Sequence, residues 1–184
     1  RDALYASFDV ELGRPLAMDY RFSQGGARKR VAIMVSHEDH CLSDLLWRWR
    51  NGELEAELTR VISNHPDQRE QVESLGLPYH VIETDAKSDA EDEALALLAG
   101  DTDLLVLARY MQILSSDFLA RLGAPAINIH HSFLPAFVGA DPYARAHERG
   151  VKLVGATAHY VTQELDAGPI IDQDVTRVSH RDEV

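Results

Sequence analysis

From Arg30 onward, short apolar runs alternate with longer amphipathic stretches, a rhythm that predicts strands covered by helices. Strands are expected at 31–36, 58–63, 79–82, 104–108 and 126–130, with helices between or after them at 42–51, 67–75, 89–99, 116–122 and 142–149. Asp67 and Asp89 stand where N-terminal caps or first-turn acids belong, and the acidic run 89–93 reads as a solvated helix start. Two late β-like runs, 153–161 and 170–178, are joined by a loop long enough to carry function, from Thr162 to Pro169. The order describes an α/β fold, a doubly wound and mostly parallel sheet with late β-runs after strand 126–130.

The first residues follow a different rhythm. Leu4, Phe8 and Leu12 recur on one face of a short helix closed by Gly13, and Leu16, Met18, Tyr20 and Phe22 then alternate like a half-buried strand. The polar, glycine-containing stretch 23–30 separates them from the rest. A domain boundary is therefore expected near residues 23–30, setting residues 1–24 and a linker at 25–29 apart from a domain at 30–184.

A length of 184 residues suits one well-packed core with a small appendage. A net charge of −12 repels phosphates, so neither nucleic acid nor an anionic membrane surface is an expected partner. Cys41 is the single cysteine, which forms no internal disulfide and fits a reducing cytoplasm. No apolar run reaches the roughly 18 to 20 residues that span a bilayer. The chain opens on Arg1 without a recognisable signal peptide and stops at Val184, as a piece of a longer protein would.

Chemistry concentrates where open parallel sheets bind ligands, beyond the carboxyl ends of the strands. Strand 126–130 ends in Asn128-Ile129-His130-His131-Ser132, and alternation puts Asn128 and His130 on one face. Such a pair either donates to a developing oxyanion and handles a proton, or is a satisfied polar pair pinning the next loop. Thr157 and His159 share a face in the same way. Asp166, just before Gly168-Pro169, is either a turn former or a carboxylate that orients an imidazole and positions water.

Three ordered motifs, Asn128-Ile129-His130 with Ser132-x-Leu134-Pro135, then Gly155-Ala156-Thr157-Ala158-His159, then Leu165-Asp166-x-Gly168-Pro169-Ile170-Ile171, resemble the folate-dependent formyltransferase superfamily. The segments 28–36, 39–42, 62–67 and 108–114 resemble its deformylase branch, so the likeness covers residues 28–178. It implies a formyltransferase-like Rossmann-type domain that hydrolyses 10-formyltetrahydrofolate to formate and tetrahydrofolate, supplying formate for purine synthesis and balancing the one-carbon folate pool. Asn128, His130 and Asp166 match the family's catalytic trio. Met111, Leu114, Thr157, His159 and Tyr160 match positions on or near the folate pocket. The resemblance further implies an ACT-type regulatory domain of which 1–24 is the tail, a continuation beyond Val184, a homo-oligomer, and no cofactor or metal besides the folate substrate.

The alternative within the superfamily is phosphoribosylglycinamide formyltransferase, which hands the formyl group to an amine. Such an enzyme must cradle a phosphate, normally on a glycine-rich turn. The first strand here ends in Ser36-His37-Glu38-Asp39-His40-Cys41, with two carboxylates and no glycine. A folate-binding module without turnover is the other alternative. Nine histidines invite a metal reading for His37 with Asp39 and His40, or for His130-His131, but no metal-ligand spacing such as HExxH occurs. Cys41 beside His40 reads as a small buried residue before a nucleophile, and Trp47 and Trp49 as helix packing and partner contacts.

Overall fold

A computed structural model describes residues 2–20, 22, 26, 28–83, 86–137, 139, 141–179 and 181–182. Seven strands form one sheet: β1 (Lys29–Val35), β2 (Ala56–Ser63), β3 (Tyr79–Val81), β4 (Leu104–Leu107), β5 (Ala126–His130), β6 (Leu153–Tyr160) and β7 (Ile170–Arg177). Their order is β3-β2-β1-β4-β5-β6-β7. The first five pair in parallel, whereas β6 and β7 join antiparallel. The strand order reverses between β1 and β4, which opens a crevice at their carboxyl ends.

Strand β1 shows why the sheet is buried on both sides. Val31, Ile33 and Val35 pack into one core cluster with Leu42, Leu46 and Val72, while Ala32 and Met34 pack into another with Ala94, Leu95, Leu98 and Phe118. A strand covered twice needs apolar residues at every position instead of alternating ones. The covering helices are α2 (His40–Arg50) and α3 (Arg69–Glu73) on one side, and α4 (Lys87–Leu98) and α5 (Ser116–Leu122) on the other. Helix α6 (Pro142–Glu148) follows β5. Local chemistry sets the ends of α5: the Ser115 hydroxyl accepts from Phe118 N at 3.0 Å, and Gly123 terminates it with a φ of 66°.

Several sequence expectations change on contact with the fold. Residues 16–20 and 22 form no strand, because no partner strand lies beside them among the described residues; Tyr20 and Phe22 instead pack on Tyr5 and Phe8 of the first helix, α1 (Asp2–Phe8), which runs on into a π-helical turn, Asp9–Gly13. Asp67 caps no helix, since its carboxylate pairs with His37 Nδ1 at 3.0 Å and α3 starts two residues later. The acidic run is only partly solvated: Glu91 accepts from both Ser115 N and Ser115 Oγ, and Asp92 pairs with Arg121 at 2.7 Å. Of the linker expected at 25–29, residues 25 and 27 lie outside the described residues, as do 23 and 24 just before it.

Candidate active site

Strand β5 brings Asn128 and His130 to the carboxyl edge, and β6 pairs His159 with Asn128 and Thr157 with His130. Asp166 arrives from the loop 161–169, whose two legs are tied down by Val161 N to Ala126 O at 2.8 Å and Tyr160 N to Pro169 O at 2.9 Å. The second leg approaches so closely that a Cβ on Gly168 would lie 1.8 Å from the Tyr160 carbonyl oxygen, which only glycine permits. Between the legs Asp166 adopts a φ of 54°, in the left-handed region that aspartate tolerates better than most residues. Its side chain is only 6% exposed.

The loop thereby places one carboxylate between two imidazoles. Asp166 Oδ2 lies 3.5 Å from His130 Nδ1, and Oδ1 lies 3.7 Å from His159 Nε2. His159 Nδ1 is 3.0 Å from the Tyr160 carbonyl, which can only accept, so that nitrogen carries a proton. Its Nε2 faces Asn128 Nδ2 at 3.4 Å. His130 Nε2 is buried and has no hydrogen-bond partner. Burial is the largest influence on His130 and holds its pKa below the ordinary value; the Asp166 charge and a hydrogen bond to the Phe137 backbone oppose it, while His159 and Arg109 reinforce it. A neutral imidazole with its Nδ1 proton toward these acceptors keeps a lone pair on Nε2.

These groups line a cavity of about 280 Å³, together with Met111 and Leu114 on an apolar wall and Arg109. Six of the residues singled out from the sequence therefore meet: Met111, Leu114, Asn128, His130, His159 and Asp166. Thr157 and Tyr160 do not reach the cavity. Thr157 lies beneath the loop that follows β5, where its hydroxyl donates to Ser132 O at 2.7 Å and accepts from Leu134 N at 3.1 Å and Gln173 Nε2 at 2.9 Å. Tyr160 follows His159 in the strand, so alternation turns it to the opposite face, where it is exposed.

Sequence reasoning did not single out Arg109 and weighed His131 only as a metal ligand beside His130; both share this cavity. The available signal for Arg109 was its position, a charged residue directly after an apolar strand. Burial, Arg109 and His130 push the His131 pKa down to about 4. Cys41 is half-buried against the core and burial raises its thiol pKa, as befits packing better than nucleophilic attack. Trp49 packs on the core and donates to Ala56 O at 3.1 Å, whereas Trp47 is 56% exposed. His37, His65 and Asp67 gather their ligating atoms within 4.8 Å of one another, a different grouping from His37 with Asp39 and His40.

The family described as formyl transferase matches residues 29–184. The chain is 59% identical over 181 residues to the formyltetrahydrofolate deformylase of Mycobacterium tuberculosis, covering 97% of this chain and 58% of that protein. Among solved structures, a formyltetrahydrofolate deformylase from Pseudomonas syringae pv. tomato superposes with a TM-score of 0.92 at 50% identity, over 99% of this chain and 62% of that one. A phosphoribosylglycinamide formyltransferase from Bacillus halodurans gives 0.79 at 30% identity, over 84% of this chain and 83% of that one. The chain thus spans less than two thirds of the length of the deformylases it matches.

Proposed function

The chain belongs to the formyl transferase family, and from that premise we propose that the whole protein hydrolyses 10-formyltetrahydrofolate to formate and tetrahydrofolate. The observation that carries the reading is the buried His130 Nε2, unpartnered in the cavity, with Asp166 Oδ2 3.5 Å from its other nitrogen. An orphaned buried nitrogen is rare unless a ligand satisfies it. Deformylases match this chain at 50% identity or more, which favours water over an amine as the acceptor.

In the mechanism we infer, Asp166 and His130 hold and deprotonate a water that attacks the N10-formyl carbon. Asn128 donates an N–H to the tetrahedral oxyanion, using the hydrogen not turned toward His159. As the C–N10 bond breaks, His130 returns the proton to N10, so tetrahydrofolate leaves neutral at that nitrogen and formic acid is released as formate and a proton. Met111 and Leu114 offer an apolar wall to the pterin. Phosphate, by contrast, would meet Glu38 and Asp39 in the segment after β1, with Asp39 at the N-cap of α2. The same reading carries a cytoplasmic homo-oligomer and a role in supplying formate for purine synthesis.

The test is formate release from 10-formyltetrahydrofolate by the full-length protein, with and without glycinamide ribonucleotide. Equal formate in both is expected; formyl transfer to the amine with little formate would make the protein a transferase. Asn128→Ala should lower turnover by about a hundred- to thousand-fold, as loss of one oxyanion donor does.

A further inference from the structure

Arg109 stands at the crevice where the strand order reverses, immediately beyond β4. Its backbone is locked there: Ala108 N donates to Met34 O at 2.8 Å, Ser36 N donates to Arg109 O at 3.2 Å, and Met111 N donates to Ser36 Oγ at 3.0 Å. Within that frame Arg109 takes a φ of 60°, which a long side chain adopts only when its surroundings over-determine it. Arg109 lines the cavity that holds His130 and Asp166.

The guanidinium has an unusual set of neighbours. Its Nε and NH1 are buried and have no hydrogen-bond partner. Its charge bears on Cys41 of α2, His130 and His131 at the end of β5, and Tyr143 of α6, so it lies among groups from three elements that are themselves neutral near pH 7. Buried donors of a cation that are left idle cost free energy, which an anion completing the site recovers. The two idle nitrogens lie on different edges of the guanidinium, and each edge presents a pair of parallel N–H bonds that matches the spacing of a carboxylate.

We propose that Arg109 forms a carboxylate pocket within the cavity, and that its occupant is the formate released at the formyl-binding centre. This rests on the hydrolytic reading given above. The carboxylates of the folate tail offer the same chemistry, but Arg109 shares its cavity with His130 and Asp166 and its charge bears on His130, so the first new anion it meets is the one made at that centre. A cation at this depth draws the new carboxylate away from Asp166, whose charge shares the cavity, and so separates the products before either leaves.

The experiment is binding of ¹³C-formate to the full-length protein, read from its carbon line width, in wild type, Arg109→Met and Arg109→Lys. Wild type should broaden the line, Arg109→Met should bind at least about tenfold more weakly, and Arg109→Lys should fall between, keeping the charge but losing the planar fork. Urea midpoints identify a variant that fails to fold, and the Lys variant then carries the comparison. Addition of p-aminobenzoylglutamate, which bears the folate tail's carboxylates, should leave the formate signal unchanged. Equal broadening with and without Arg109, no broadening by wild type, or displacement by p-aminobenzoylglutamate would each overturn the proposal. Formate bound through Arg109 in a protein that releases none from 10-formyltetrahydrofolate would sink the functional reading and leave the site standing.

Discussion

Burial governs how His131 titrates. With its pKa pushed to about 4 in the fold and about 6.5 in an unfolded chain, the unfolded state takes up this proton first as pH falls. The stability that His131 contributes is therefore complete above about pH 6.5 and is lost progressively toward pH 4. Urea midpoints measured across that window should fall less steeply for His131→Gln than for wild type; parallel curves would mean that other groups account for the acid sensitivity. At this scale the sequence was legible where polarity interrupted an apolar pattern. Asn128 and His130 stand out at the end of a strand, and Asp166 next to Gly168-Pro169 left two readings; the fold sets it in the loop at a φ of 54°, facing two imidazoles. Arg109 was not legible, because a cation after a strand ordinarily points to solvent and only tertiary packing buries it.

Among the elements, the loop 161–169 depends most on one residue. An alanine at 168 would place its methyl group 1.8 Å from the Tyr160 carbonyl oxygen, so the loop must move, and Asp166 moves with it. Gly168→Ala should lower kcat by on the order of a hundredfold, the usual scale of loss when a reacting group shifts by about 1 Å. Steady-state kinetics of the full-length protein would check this, and an unchanged kcat would show that Asp166 need not hold its place. Strands and helices from β1 to β7 were legible to within two residues at nearly every end, because each combines a buried pattern with a cap or a turn. The expected strand at 16–22 failed for a reason periodicity cannot encode: alternation describes a strand only if another strand lies alongside. Thr157 failed similarly, since sharing a face with His159 does not reveal that a loop will cover it.

For the molecule as a whole, the first segment packs its aromatic rings on one another while Leu4, Val10, Leu12, Leu16 and Met18 remain exposed. Tyr5 stacks on Phe22 with ring centroids 4.2 Å apart, Phe8 meets Tyr20 edge-on at 4.9 Å, and none of these side chains belongs to either core cluster of the sheet. We propose that residues 1–24 belong to a separate unit, as the change of rhythm at 23–30 suggested. Removing them should leave the urea stability of the remainder within about 0.5 kcal/mol, the range of changes that touch no core contact; a larger drop would join the segment to the main fold. The doubly wound order was legible from the β/α alternation, but the antiparallel attachment of β6 and β7 was not, because strand direction depends on how the chain returns.

That attachment sets where the sheet opens. β1 lies between two strands and under two layers of helix, whereas β7 is an edge strand whose Ile170, Ile171 and Val175 remain exposed. Local opening favours segments with few buried contacts, so backbone amides of β7 exchange with solvent long before those of β1. His159 sits on β6, directly beside that exposed edge, and the loop bearing Asp166 joins the two strands. The candidate centre thus borders an exposed edge of the sheet, while Arg109 is anchored beside its twice-covered middle.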